Sequence, residues 1–361
     1  MNECDCHMNP VHRICLLLML LIAPLGWCRA AGHGNTSEGV DVKGIIFGHV
    51  KDSYEWHIST FGDRHVTISL PVIVYSQNSG FSLFSSSVFH EVDVYNGFRI
   101  AAEGDNEGKI VEIDMEGNES RPLIDLSITK NTLAVMLNSL LLVALVLYTA
   151  RWYRRHDARK EVPKGLVGVM EMMIEMIVED VIKPNVGASY RRYTPYLLTV
   201  FFFIFLSNIM GLLPVFPGGA NVTGNIAVTM ALSICTFIAV NFFGNREYYK
   251  EIFWPDVPTW LKVPVPLMPL IEMFGVFVKP FALTIRLFAN ILAGHTALLA
   301  FVCIIFVTMA VNRYIGSGMT VVSVLFTVFM NFMELLVAFI QAFVFTMLSS
   351  VFIGLSQQEH H

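Results

Sequence analysis

Arg286 is the residue whose type and position most demand a chemical explanation. It lies inside Phe281 to His295, FALTIRLFANILAGH, a run that is otherwise apolar or weakly polar. A lone guanidinium at bilayer depth costs at least about 2.5–3.5 kcal/mol on insertion scales, so a membrane helix keeps one only where it is used. Glu272, Lys279, Arg286 and Asn290 are spaced by seven, seven and four residues, which places all four on one face of a helix. Glu272 and Lys279 also fit a blander reading, side chains near a helix end whose charged heads reach the headgroups. Arg286 does not: it stands too far from either interface to reach water easily.

A second polar set lies on the next apolar stretch. If the chain reverses near Ile315, His295 lies twenty residues before the reversal and Glu334 nineteen after it, so at about 1.5 Å per residue the two stand at nearly the same depth and can pair. Gln341 falls within about one helical turn of the depth of Arg286, and Glu334 and Gln341, seven apart, share a face. His295 is nine residues beyond Arg286 and so points the opposite way around the helix. Titratable groups thus lead inward to His295 and Glu334 from one side, with Glu272 beyond Arg286 on the other. The pattern fits two water-accessible half-pathways separated by a fixed positive charge; a buried ion pair that locks the hairpin is the structural alternative.

Membrane helices are needed to position these groups, and the composition agrees. Of 361 residues 54% are apolar and only 15% charged, too little polar surface for an ordinary soluble domain. The expected fold is mainly α: a polytopic membrane protein with five membrane-embedded helices, ending in a long tilted helical hairpin and preceded by a small β-rich extramembrane module. The spans are expected at about 132–150, 195–213, 225–243, 265–311 and 319–355, with Asn312 to Gly318 as the hairpin tip. Arg151, Arg154, Arg155, Arg159, Lys160 and Lys164 follow the first span and mark its C-terminal side as cytoplasmic. The charge-free Pro214 to Gly219 loop suits the outer side, and five spans put the C-terminus inside. Between the first two spans, 165–182 reads as a helix lying at the cytoplasmic interface. Glu171, Glu175 and Glu179 recur every four residues opposite Val169, Met173, Met176 and Ile177, and an anionic face suits a protein subunit at least as well as lipid.

The segment 32–130 holds more than half of the acidic side chains within a net charge of −5, so it reads as a separate water-facing module with no electrostatic case for nucleic acid. Strands are expected at Val66–Leu70, Val72–Tyr75, Val92–Tyr95 and Lys109–Ile113, with turns at Asn96-Gly97 and Gly117-Asn118. His49, His57, His65 and His90 lack ligand spacing, so no metal is expected. Residues 1–31 read as a cleaved export signal, with a short apolar run from Ile14 to Trp27 before small residues. Cys4, Cys6, Cys15 and Cys28 sit in that signal, Cys235 and Cys303 in apolar spans, so the exported module carries no disulfide framework.

The run Glu272-Met-Phe-Gly-Val-Phe-Val-Lys279-Pro280-Phe-Ala-Leu-Thr-Ile-Arg286-Leu-Phe-Ala-Asn290-Ile-Leu-Ala-Gly294-His295 resembles the signature of subunit a, the membrane stator of the F-type ATP synthase. Asn208-Ile-Met-Gly-Leu-Leu-Pro214, Thr223-Gly-Asn225 with Val228-Thr-Met-Ala-Leu232, and Gln341-Ala-Phe-Val-Phe345 are similar to supporting segments of that family. The resemblance covers about Gly165 to the C-terminus. It implies that Arg286 faces the carboxylates of the rotating c-ring. It also implies that Asn225, Asn290, Gln341 and the pair His295/Glu334 line the proton entry route and that Glu272 belongs to the exit route. The implied partners are the c-ring, the peripheral-stalk subunit b, protons and membrane lipid, in a cell inner membrane with the N-terminal module periplasmic. No cofactor is implied. Many bacterial relatives carry a carboxylate at the position of His295 and a histidine at that of Glu334; here the two are exchanged, which keeps one acid and one base at one depth. The long outer module is a second departure.

A secondary transporter that binds an anionic solute at Arg286 is the alternative from another class, although the sequence shows none of the internal repeats such proteins often carry. The chain has no His-Glu-x-x-His, no Gly-x-Ser-x-Gly and no phosphate-binding glycine loop, so it makes no ATP itself. Proton is the expected ion over sodium, because His295 beside Glu334 suits a titrating relay.

Overall fold

The computed structural model describes residues 52–61, 64–76, 80–90, 92–101, 106–113, 119–157, 161–213, 218–253, 267–311 and 313–357. The expected signal, His49 and the Gly117-Asn118 turn lie outside them. Two compact units emerge, one formed by the N-terminal module with 211–220 and 295–333, the other by 137–210, 221–294 and 334–361.

Among the described residues of the first unit, eight short strands make three antiparallel sheets. They are β1 (Glu55–Phe61) with β2 (Arg64–Ser69), β3 (Pro71–Ser76) between β4 (Gly80–Ser85) and β8 (Ile124–Asp125), and β6 (Ile110–Ile113) between β5 (Phe98–Ile100) and β7 (Glu119–Ser120). Alternation along β3 buries Val72, Val74 and Ser76, and Tyr54, Val72, Val74, Phe98 and Ile110 form the core, as a period-2 pattern requires. Asn96 and Gly97 both have positive φ, 50° and 80°, the conformation of a tight hairpin turn. Val92–Tyr95 is not a strand, however: only Tyr95 pairs, in an isolated bridge to Phe98, while β5 beyond the turn pairs with β6 instead. His90 Nε2 meets the Glu55 carboxyl at 2.8 Å, a polar contact that accounts for one of the histidines.

Helix α1 (Lys130–Arg155) carries Arg151, Arg154 and Arg155 in its last turns, so part of the basic cluster is helical. α2 (Leu166–Met176) continues through a wide turn of π type at Ile177–Ile182 and a short helical turn, Lys183–Val186, until Gly187, with φ 70°, breaks the direction. Its buried residues are Val167, Met170, Met173, Ile177 and Val181, whereas Val169 is 51% exposed. The buried stripe is thus rotated from the expected one, since the neighbouring helices choose the side. α3 (Tyr190–Leu212), α4 (Ile226–Phe242), α5 (Arg246–Phe253), α6 (Leu267–Val311) and α7 (Arg313–Gln357) complete the chain. Among the described residues, four helical stretches are long and apolar enough to cross a membrane, Lys130–Arg155, Leu166–Leu212, Met268–Ile305 and Gly318–Gln357; the span expected at 225–243 is a shorter apolar helix, Ile226–Phe242. The expected tip, 312–318, is mostly helix. α7 begins at Arg313 and takes Gly316 and Gly318 into its first turns, because glycine inside a helix costs only about 1 kcal/mol.

Small and hydroxyl-bearing residues let the second unit pack closely. Gly354 of α7 lies against the backbone of Asn185, where an added Cβ would stand 2.0 Å from the carbonyl oxygen. Asn185 Nδ2 donates to Ser350 Oγ at 3.2 Å. Thr284 of α6 donates to Ser233 of α4 at 2.8 Å, and Thr236 of α4 is within hydrogen-bond distance of Tyr196 and Ser349, at 2.9 and 3.4 Å. These bonds satisfy polar groups that hydrocarbon cannot. At one end of this unit Asn245 donates to the carbonyls of Ser356 and Gln357 and Arg192 stacks over Phe243, so the starts of α3 and α5 and the ends of α4 and α7 share that end.

Candidate functional site

Arg286 is exposed on α6, while Leu283, Thr284, Leu287 and Ile291 are buried on the other flank. Val278, Phe281 and Ile285 of α6 are exposed as well. Among the described residues Arg286 makes no ion pair. Asn290, one turn on, is exposed as well, whereas Glu272 and Lys279 are partly covered. Lys279 leans over the Phe352 ring, 5.4 Å from its centre. The polar stripe therefore divides: its inner part is partly shielded, and Arg286 with Asn290 faces outward.

Glu334 is buried, with 8% exposure, and neither carboxyl oxygen has a hydrogen-bond partner among the described residues. Its Oε1 lies against Gly294, where an added Cβ would stand 2.7 Å away. A carboxyl in such a place is expensive unless function retains it. Gly294 directly precedes His295, and in the other unit the imidazole Nε2 of His295 lies beside Gly211, 3.6 Å from where a Cβ would be. Both titratable groups thus depend on glycines that bring them close to a helix backbone.

The two ends of one register position Gln341. Gly294 meets Glu334 and Lys279 meets Phe352 across the α6–α7 pair. Arg286 is eight residues before Gly294 and Gln341 seven after Glu334, so the antiparallel register sets Gln341 at the depth of Arg286 to within about a residue. Gln341 is buried. Asn225 caps α4, its side chain accepting from the Ala227 N–H at 2.9 Å, a structural task in itself.

Sequence reasoning took Asn208 and Thr223 only as parts of motifs, yet they form a buried polar link. Thr223 donates to Asn208 Oδ1 at 2.6 Å, and Asn208 Nδ2 donates to the Ala338 carbonyl, one turn from Glu334, at 3.2 Å. The i, i+4 spacing of Thr229 and Ser233 was the readable sign of the hydroxyl-lined face of α4.

Comparison with known proteins bears on all of these positions. The family described as ATP synthase A chain matches residues 136–354, which include every residue of the site. A family described as a domain of unknown function matches residues 45–129. ATP synthase subunit a of Pelodictyon phaeoclathratiforme is 43% identical over 244 residues, covering 66% of this chain and 68% of the relative. ATP synthase subunit a 2 of Chlorobaculum tepidum is 41% identical over 237 residues, 64% of each chain, and ATP synthase subunit a of Myxococcus xanthus is 41% identical over 246 residues, 66% of this chain and 75% of the relative. The chain thus spans between 64% and 75% of the length of these relatives. Nothing among them supports the transporter alternative.

Proposed function

The chain belongs to the ATP synthase A chain family, and we propose that it is the proton-translocating stator subunit of an F-type ATP synthase, a multi-pass membrane protein in which Arg286 couples proton flow to rotation of the c-ring. The observation that carries this reading is the exposure of Arg286 on a long apolar helix without an acidic partner among the described residues. Its counter-ion is then a carboxylate of the rotor, which arrives and leaves.

Electrostatics supplies the coupling. A rotor carboxylate crosses lipid only when neutral, since a bare charge there is expensive. Opposite Arg286 it is held ionised by the adjacent positive charge. A proton arriving by way of His295 and Glu334, with Asn225, Asn290 and Gln341 along the entry route, neutralises it and frees it to move into lipid. After nearly a full turn it releases the proton toward Glu272. Arg286 repels a proton that would pass directly between the routes, and arginine suits the task because it keeps its charge when desolvated. The acidic module and entry route lie on the periplasmic side of the inner membrane, the C-terminus and exit route on the cytoplasmic side, with subunit b as the peripheral-stalk partner. The basic run that begins in the last turns of α1 supports that orientation.

Arg286→Ala tests the reading. ATP-driven proton pumping in inverted membrane vesicles should vanish while the complex still assembles, and retained coupled pumping would refute it.

A further inference from the structure

The N-terminal module carries an apolar sheet face that its own core does not use. Tyr75 of β3 lies opposite Phe81 of β4 and Ile124 of β8, and Ile73 lies opposite Leu83; directly paired residues share a face. The other face, with Val72 and Val74, is buried in the core. On the outward face Phe81 is 68% and Leu83 63% exposed, and Leu126, which follows β8, is 68% exposed. No charged residue stands among these positions. A contiguous face of this kind on a water-facing domain marks an interaction surface.

The same sheet runs directly into a membrane helix. Only Leu126 to Thr129 separate β8 from α1, a reach of at most about 14 Å, and these residues are stitched to the module. Leu126 N–H donates to the Ile73 carbonyl at 2.9 Å, Ile128 N–H to Pro71 at 3.1 Å and Lys130 N–H to Ser53 at 2.8 Å. Asn131 N–H donates to Asp52 Oδ1 at 3.0 Å, and Thr129 caps the helix by accepting from the Thr132 N–H at 3.3 Å. No free linker lets the sheet drift from the start of α1, and α1 itself exposes the apolar Met136 and Leu140 a few residues on.

We propose that the β4-β3-β8 face is a membrane-docking surface, seated in the headgroup region of the leaflet that α1 enters. Tyr75 would place its ring among acyl chains and its hydroxyl among headgroups, the arrangement that enriches aromatic residues at membrane interfaces. Phe81, Leu83, Ile124 and Leu126 insert beside it. Because this module is acidic, attraction to anionic lipid contributes little, and the recognised chemistry is the apolar interface of the bilayer. The module would then fix the tilt of α1 at its outer end. The proposal rests on α1 spanning the membrane and not on the proton pathway.

Photo-crosslinking in the intact complex, reconstituted in phosphatidylcholine vesicles, tests it. A benzophenone amino acid replaces Phe81 or Leu126 and, as a control in the same module, the exposed Ser120. Mass spectrometry of the irradiated subunit should show a one-phospholipid adduct at Phe81 and Leu126, severalfold above that at Ser120. Adducts to another subunit or to a second copy of the chain would overturn the proposal, as would phospholipid yields equal to the control. ATP-driven pumping measured on the same vesicles separates this outcome from failure of the stator reading, since the proposal stands or falls on adducts whether or not pumping is coupled.

Discussion

Gly294→Ala isolates the position of Glu334 from its identity. A Cβ at residue 294 would stand 2.7 Å from Oε1 of Glu334 and 3.4 Å from its Cγ and Cδ. Ordinary contact begins at about 3.4 Å, so the carboxyl end must retreat by roughly 0.7 Å, the backbone staying where it is. The obstacle is the far end of a flexible side chain, and alanine improves helix propensity by about 1 kcal/mol over glycine, so the protein should fold and assemble normally. Proton transfer is less tolerant: displacements near 1 Å cost catalytic steps up to about a hundredfold, and a shift of this size should slow proton flux about tenfold. The assay is passive proton flux through the membrane sector in vesicles stripped of the soluble catalytic part, normalised to the amount of assembled complex. Normal flux at normal assembly would refute the placement of Glu334 on the pathway. Loss of assembly with normal flux per remaining complex would show that Gly294 serves packing alone.

The same substitution at Gly354 should give the opposite result. There the Cβ would lie 2.0 Å from the backbone carbonyl of Asn185, which cannot step aside, so Gly354→Ala should deplete assembled complex on immunoblots while leaving flux per complex unchanged. Thr284→Val removes the bond to Ser233, while Ser233 keeps its own bond to the Thr229 carbonyl; a loss of about 0.6 kcal/mol, typical of membrane interhelical bonds, should lower the thermal midpoint of the extracted complex slightly without slowing pumping. In the outer module, burial, followed by the negative charge of Asp125, pushes the Tyr54 hydroxyl up to about 12. The folded value lies above the unfolded value of about 10, so its stabilisation is complete below about pH 10 and is lost as pH rises toward about 12. Limited proteolysis of the module in the intact chain should accelerate over that window, and Tyr54→Phe should flatten the acceleration.

The sequence by itself determined the solvent and the mainly helical class, and it singled out Arg286 as the residue to test. A charge in hydrocarbon is so costly that Arg286 stood out without any coordinates, and apolar length led to the expectation of five spans, each of which overlaps a helix, α1, α3, α4, α6 or α7, with ends that differ by up to six residues. Counting around a reversal led to the expectation that Glu334 pairs with His295; Glu334 itself lies against Gly294, and the expected tip is mostly helical. Periodicity could not say which way α2 faces or that Val92 to Val94 stay unpaired, because those depend on neighbours distant in sequence. Only the tertiary structure decided that Arg286 faces outward while Glu334 and Gln341 face inward. In a membrane both sides of a helix are apolar, so hydrophobic pattern no longer distinguishes inside from outside. The distinction is made by small residues: Gly294, Gly354 and the hydroxyls of α4 let helices approach on one flank, and the flank they leave uncovered is where Arg286 stands.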